Sequence, residues 1–182
     1  MILRLFVLFL AFAYQSAFSI ELTNKANPET NYLNERWEFI SDQVMGGVSS
    51  GSMDIIKDDD NYFYRLKGSV SLENNGGFIQ FRSKIKIKHD RFKGLEFVMR
   101  GNGASYAAHI TTKYTFLPWQ YYTHEILTTK SWETVRIYFE DFKKSHFYQP
   151  TVFNCKDIKT VGFVAIGKKF DAKLDIKDVR LF

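Results

Sequence analysis

Cysteine is nearly absent: Cys155 is the only one in the chain. A single thiol excludes an internal disulfide, and none of the scattered His89, His109, His124 and His146 finds cysteines at zinc-ligand spacing. Proline is scarce, three residues in all, and no Pro-rich or low-complexity linker divides the chain. No amphipathic helical pattern runs beyond about two turns. A Gly-x-Ser-x-Gly elbow and a Gly-rich phosphate loop are also missing. Arg100-Gly101-Asn102-Gly103 lacks the third glycine and following helix of a dinucleotide fingerprint. No catalytic constellation is visible, and the chain is expected not to be an enzyme. The net charge of +5 is dispersed over Lys84, Lys86 and Lys88 on one strand face, Lys143-Lys144 and Lys168-Lys169. Nucleic acid would need a concentrated basic patch with stacking aromatics, so no nucleic-acid partner is expected. Asp58-Asp59-Asp60-Asn61 lacks the glycine and distal glutamate of an EF-hand and reads as a solvated turn.

What is present begins with a leader. Arg4 supplies a short positive region, and Leu5 to Tyr14 is an apolar run of signal-peptide length. Ala17-Phe18-Ser19 places small residues where a signal peptidase cuts. Residues 1–19 are therefore expected to be a signal peptide, 20–36 a polar lead-in and 37–182 one domain. Export to the periplasm or exterior is expected, with no stable membrane insertion once the leader is removed.

Period-two alternation dominates the rest. Tyr62, Tyr64, Leu66 and Val70 share a face; so do Ile79, Phe81, Ile85 and Ile87, and so do Leu95, Phe97 and Met99. Near the end, Leu174 and Ile176 hand over to Val179 and Leu181, which requires a one-residue slip at Lys177-Asp178. Asp58 to Asn61 reads as a hairpin loop, and Asn75-Gly76 and Asn102-Gly103 as tight turns, the latter a hairpin. The pattern predicts an all-β fold, a β-sandwich whose 17% aromatic residues mostly fill the space between sheets.

Three groups of residues are candidates for a ligand or partner site. Asp42, in Ser41-Asp42-Gln43-Val44-Met45-Gly46-Gly47, can bind a sugar hydroxyl, a calcium ion or a partner's cation; it can equally accept backbone N–H bonds within its own glycine turn. Arg82 and Arg100 project from polar strand faces. On neighbouring strands they would form a fork for a carboxylate, phosphate or sugar, and otherwise they bridge to Glu73, Glu96 or Glu125. Tyr106, Trp119 and Tyr121, with His109, Gln120 and Tyr122, have the makings of a sugar-stacking platform, or they plug the end of a sandwich. No catalytic and no metal-ligating set emerges. A structural calcium held by loop carbonyls is the one cofactor kept in view.

The run Trp37 to Gly51, the turn Gly68 to Phe78 and the Arg100-Gly101-Asn102-Gly103 turn together resemble the complex I intermediate-associated protein family. The resemblance extends from Trp37 to Phe182. It implies a galactose-binding-domain-like jelly-roll and a non-catalytic assembly-factor role, with a membrane-complex assembly intermediate as protein partner. The same fold is similar to carbohydrate-binding modules, which makes a glycan the alternative partner. The secretory leader differs from the transit peptide of a mitochondrial member and directs the expectation to the cell envelope.

Overall fold

The computed structural model describes residues 18–59 and 61–182; the expected leader lies almost wholly outside them. The alternating segments form two antiparallel sheets of six strands each. In chain order the strands are β1 (Ile20–Glu21), β2 (Trp37–Ser41), β3 (Ser50–Asp58), β4 (Asn61–Val70), β5 (Phe78–Lys84) and β6 (Gly94–Gly101). They continue as β7 (Ser105–Thr112), β8 (Tyr122–Leu127), β9 (Glu133–Tyr138), β10 (Lys143–Lys144), β11 (Ile158–Ile166) and β12 (Phe170–Leu181). Sheet one has the order β3-β4-β12-β6-β9, with β1 paired to the far end of β12; sheet two has the order β10-β8-β7-β11-β5-β2. This is the jelly-roll, galactose-binding-like sandwich that the sequence predicts.

Each sheet buries one face against the other. Tyr64, Leu66, Val70, Leu95, Phe97, Leu174 and Ile176 come from sheet one, and Ile79, Phe81, Ile110, Tyr122, Val161 and Phe163 from sheet two. An aromatic chain crosses the gap: Trp37 lies against Tyr64 (5.2 Å between ring centres), Phe81 against Phe163 (5.3 Å) and Phe163 against Phe97 (4.8 Å). Each such side chain stabilises the fold by about 1.5–3 kcal/mol through burial. The slip in β12 is present. One extra residue lies between Lys177 and Arg180 relative to β6, with Asp178 at φ +50°, and Val179 and Leu181 return to the core. Cys155 is buried against the His89 carbonyl, and burial pushes its thiol pKa up, so it is an inert packing residue.

The lead-in is bound to the sandwich. Leu22 is fully buried and donates its N–H to the Val179 carbonyl. Asn31 is buried too: its amide donates to Ser83 Oγ while its Oδ1 accepts from the N–H groups of Leu33 and Glu35. The Asp58–Asn61 hairpin is found, with the two residues opposite each other.

The other two turns are not hairpins. Asn102-Gly103 leads from β6 in sheet one to β7 in sheet two, and Asn75-Gly76 leads from β4 in sheet one to β5 in sheet two. Both are corners between sheets. Positive φ angles serve a corner as well as a hairpin, and Gly103 (φ +86°) and Asn75 (φ +58°) adopt them. What selects the corner at Asn102 is tertiary: its amide donates to the Asp171 carbonyl and its Oδ1 accepts from Tyr106 Oη, each at 2.8 Å.

Candidate functional site

Asp42 is wholly buried and belongs to a turn. It opens a short 3-10 turn (Asp42–Met45) after β2. Its carboxylate accepts from Ser49 N (2.9 Å), Ser49 Oγ (2.5 Å), Gly77 N (2.6 Å) and Phe78 N (3.2 Å). It thus ties the loop before β3 to the corner before β5. Burial pushes its pKa up, but these hydrogen bonds outweigh burial and hold it below the ordinary 3.8. The glycines around it are steric necessities. A Cβ on Gly47 would strike the Asp42 carboxylate, and one on Gly76 would lie 2.5 Å from Asp42 Oδ2. No face of this carboxylate is left for a ligand.

Arg82 and Arg100 do not share a face. Arg100 lies on the outer face of sheet one, Arg82 on the outer face of sheet two. Arg100 Nε donates to Asp175 Oδ2 (2.8 Å), and Arg65 grips the same carboxylate through two bonds of 2.7 and 2.8 Å. Burial pushes the Asp175 pKa up, yet the two guanidinium groups outweigh burial and hold it low. The Arg100 guanidinium also lies 4.4 Å from the Trp132 ring centre, whose ring receives Lys177 Nζ at 4.4 Å as well. The bridge partner is Asp175 rather than Glu73, Glu96 or Glu125. Arg100 is committed to a surface ion-pair cluster.

Tyr106 is likewise committed. It points into the core, and its hydroxyl donates to Asn102 Oδ1 and accepts from the Lys173 N–H. Tyr122 is buried with its hydroxyl on the Pro150 carbonyl. The sheet alternation explains this: in β7 the residues facing outward are Ser105, Ala107, His109 and Thr111.

The outer face of sheet two is where the remaining candidates gather. Strand register sets Arg82 (β5), Gly162 (β11), His109 (β7) and Thr123 (β8) in one row across it. Tyr121 stacks on His109 with ring centres 4.1 Å apart and planes within 14°. His109 is 8% exposed, its Nε2 has no hydrogen-bond partner, and burial holds the ring neutral with a pKa of about 3. At one end of the face, buried Gln120 folds the loop before β8. Its Oε1 accepts from Phe116 N (2.6 Å) and Leu117 N (3.1 Å). That turn leaves Phe116 (78% exposed), Leu117 and Trp119 (50%) standing on the surface.

Two open hollows flank Tyr121 and Arg82. One, about 580 Å³, is lined by His109, Tyr121, Thr123, Glu125, Lys143 and Lys168. The other, about 350 Å³, is lined by Val44, Met45, Phe78, Arg82, Phe116 and Leu117. Between them lies a 30 Å³ niche bounded by Gln80, Arg82, His109 and Gly162. Sequence reasoning named Arg82, His109, Trp119 and Tyr121 but missed Val44, Met45, Phe116 and Gly162 as parts of one surface. Apolar side chains in turns carry no periodic signal, and the pairing that places Gly162 beside Arg82 joins positions far apart in sequence. No group of three or more His, Cys, Asp or Glu residues suited to a metal exists among the described residues.

The two-sheet sandwich is shared with solved carbohydrate-binding modules. The family 11 module of the cellulosomal cellulase Lic26A-Cel5E from Clostridium thermocellum superposes with TM-score 0.66 at 15% identity, covering 80% of this chain and 86% of that one. The same family's module in complex with a β-1,3-1,4-mixed-linked tetrasaccharide gives 0.64 at 14% identity, covering 80% and 88%. The family 30 module of the cellulase Cel9D-Cel44B from Clostridium thermocellum gives 0.59 at 11% identity, covering 91% and 97%. At such identities the likeness is one of fold. The family is set by sequence: residues 25–176 match complex I intermediate-associated protein 30, and the chain belongs to that family. No match is found among curated proteins.

Proposed function

We propose that this chain is an exported, non-catalytic, assembly-factor-like domain that engages a protein partner at the cell envelope through the outer face of sheet two. One observation carries the reading. Val44 (71% exposed), Met45, Phe116 and Leu117 surround a hollow whose polar wall includes Arg82. Exposed apolar side chains rimmed by polar groups are the mark of a protein-binding surface. Family membership points the same way. The test is site-specific photo-cross-linking from position 116 of the exported chain, with position 134 on sheet one as control. The expected product is a subunit of a membrane complex, formed from 116 and not from 134, and lost on Val44→Asp. Cross-links of equal yield from both positions would refute the reading.

A second reading rests on the Tyr121–His109 stack, with Trp119 exposed in the loop that leads to Tyr121, aromatic rings of the kind that receive a sugar. Affinity electrophoresis in soluble glucans decides between the two. Retardation abolished by Trp119→Ala or Tyr121→Ala would install the carbohydrate reading in place of the first.

A further inference from the structure

We infer that the niche floored by Gly162 is a carboxylate-binding subsite that receives an acidic side chain of the protein partner; this inference rests on the protein-binding reading above. Three features converge there. First, Gly162 is opposite Arg82 on one side and His109 on the other, so the centre of the row has no side chain. The vacancy is enforced by packing, because a Cβ on Gly162 would lie 2.8 Å from Arg82 Cβ and 2.9 Å from the Phe81 carbonyl. Second, Arg82 is half-buried and makes no ion pair among the described residues. Glu38 faces it across the β2–β5 pair without bridging to it. Nearly every other arginine on the sandwich surface is neutralised: Arg36 by Glu29, Arg65 and Arg100 by Asp175, and Arg136 and Arg180 by Glu96. Third, the His109 ring is buried with an unpartnered nitrogen, a condition that native interiors rarely tolerate without a purpose.

The chemistry of the niche is that of a donor set without an acceptor's charge. Arg82 offers a planar fork suited to two carboxylate oxygens, and the Gln80 amide lies on the same strand face. Neutral His109 lines the niche with a ring that carries one N–H. Lys84 stands exposed on the flanking row opposite Thr160, Lys159 lines the adjacent hollow, and both add positive potential. The 30 Å³ volume admits one small group, not a sugar ring. Arg82 also walls the apolar hollow of Val44, Met45, Phe116 and Leu117. A carboxylate reaching Arg82 therefore arrives next to apolar contacts, which fits a Glu or Asp flanked by apolar residues.

The probes are the blocked peptides acetyl-Leu-Glu-Leu-amide and acetyl-Leu-Gln-Leu-amide, with methyl glucuronoside as the acidic-sugar arm. The readout is the nitrogen shifts of the His109 ring and the Arg82 side chain by NMR. The Glu peptide is expected to move both saturably, the Gln peptide to bind at least tenfold more weakly, and Arg82→Gln to abolish the difference. Gly162→Ala should block the niche; should it fail to fold, Arg82→Gln carries the test alone. Equal binding of the two peptides, no saturable binding, or binding of the glucuronoside without the Glu peptide overturns the inference. Cross-linking from position 116 separates the two readings: if it persists while the niche stays silent, the subsite alone falls.

Discussion

Replacing Asp42 with alanine should unravel the link between two loops without touching the sandwich core. The carboxylate serves three backbone N–H groups, those of Ser49, Gly77 and Phe78, plus the Ser49 hydroxyl. The hydroxyl keeps an alternative acceptor in the Ser71 carbonyl at 3.2 Å. The three N–H groups have none, and a buried donor left unmet costs about 1–2 kcal/mol after partial solvation. The expected loss is about 3–6 kcal/mol, a large share of the stability of a domain this size. That corresponds to a fall in Tm of about 6–24 °C. Asp42→Asn keeps the shape and one acceptor but turns an NH2 group toward N–H donors, so about half the loss should remain. Gly47→Ala attacks the same carboxylate from outside and should be destabilising on its own. The assay is urea unfolding of residues 20–182 followed by tryptophan fluorescence. An Asp42→Ala variant within about 1 kcal/mol of the parent, below the cost of even one stranded donor, would refute the structural account and return Asp42 to the list of ligand residues.

Other outcomes follow from the same geometry. His109 has a pKa of about 3 folded and 6.5 ordinarily, so the unfolded chain takes up a proton that the folded one refuses. Stability should be intact above pH 6.5 and fall by up to about 1.4 kcal/mol per pH unit below it; His109→Gln should remove that slope in a pH series of urea melts. Asp42 and Asp175, both held below 3.8, add a second loss as pH falls beneath about 4, seen as a steepening of the same curve. Arg100→Ala removes one of two arginines from a buried carboxylate and should cost about 1–3 kcal/mol while leaving cross-linking from position 116 unchanged, since it lies on the other sheet. Met45→Asp should abolish the cross-link from position 116 with a Tm shift under about 2 °C, because the Met45 side chain is exposed.

Much of the fold was legible because alternation is local. Tyr64, Leu66, Ile79, Phe81 and Phe97 declare their faces within a few residues, and the switch from Ile176 to Val179 betrays the bulge. Which sheet a strand joins is not local. The Asn102-Gly103 corner has the residues of a hairpin, and only its bonds to Asp171 and Tyr106 send the chain across the gap. The site was legible in pieces for the same reason. Arg82 reads as a polar-face residue and lies on the outer face of its sheet, whereas Trp119, which the sequence leaves open to plugging the sandwich end, stands exposed. Arg100 looks identical to Arg82, yet the Asp175 that captures it lies 75 residues away. Tyr106 sits where alternation could have warned of burial: Ala108 and Ile110, two and four residues on, are core residues of the same strand.

The central strand of sheet one, β12, is the last segment of the chain, and β1, the first, pairs with its far end. Sheet one cannot close until β12 has been made. β4 and β6, which flank β12, have no partner for one edge until residues 170–181 emerge. Among the described strands, only β3–β4 and β7–β8 pair neighbours in sequence within one sheet. Such wiring makes folding slow and late, because long loops must close before their contacts repay the lost entropy. A polypeptide wired this way leaves the β4 and β6 edges unpaired until β12 is available, so a fragment that stops before residue 170 exposes two strand edges able to pair with other chains.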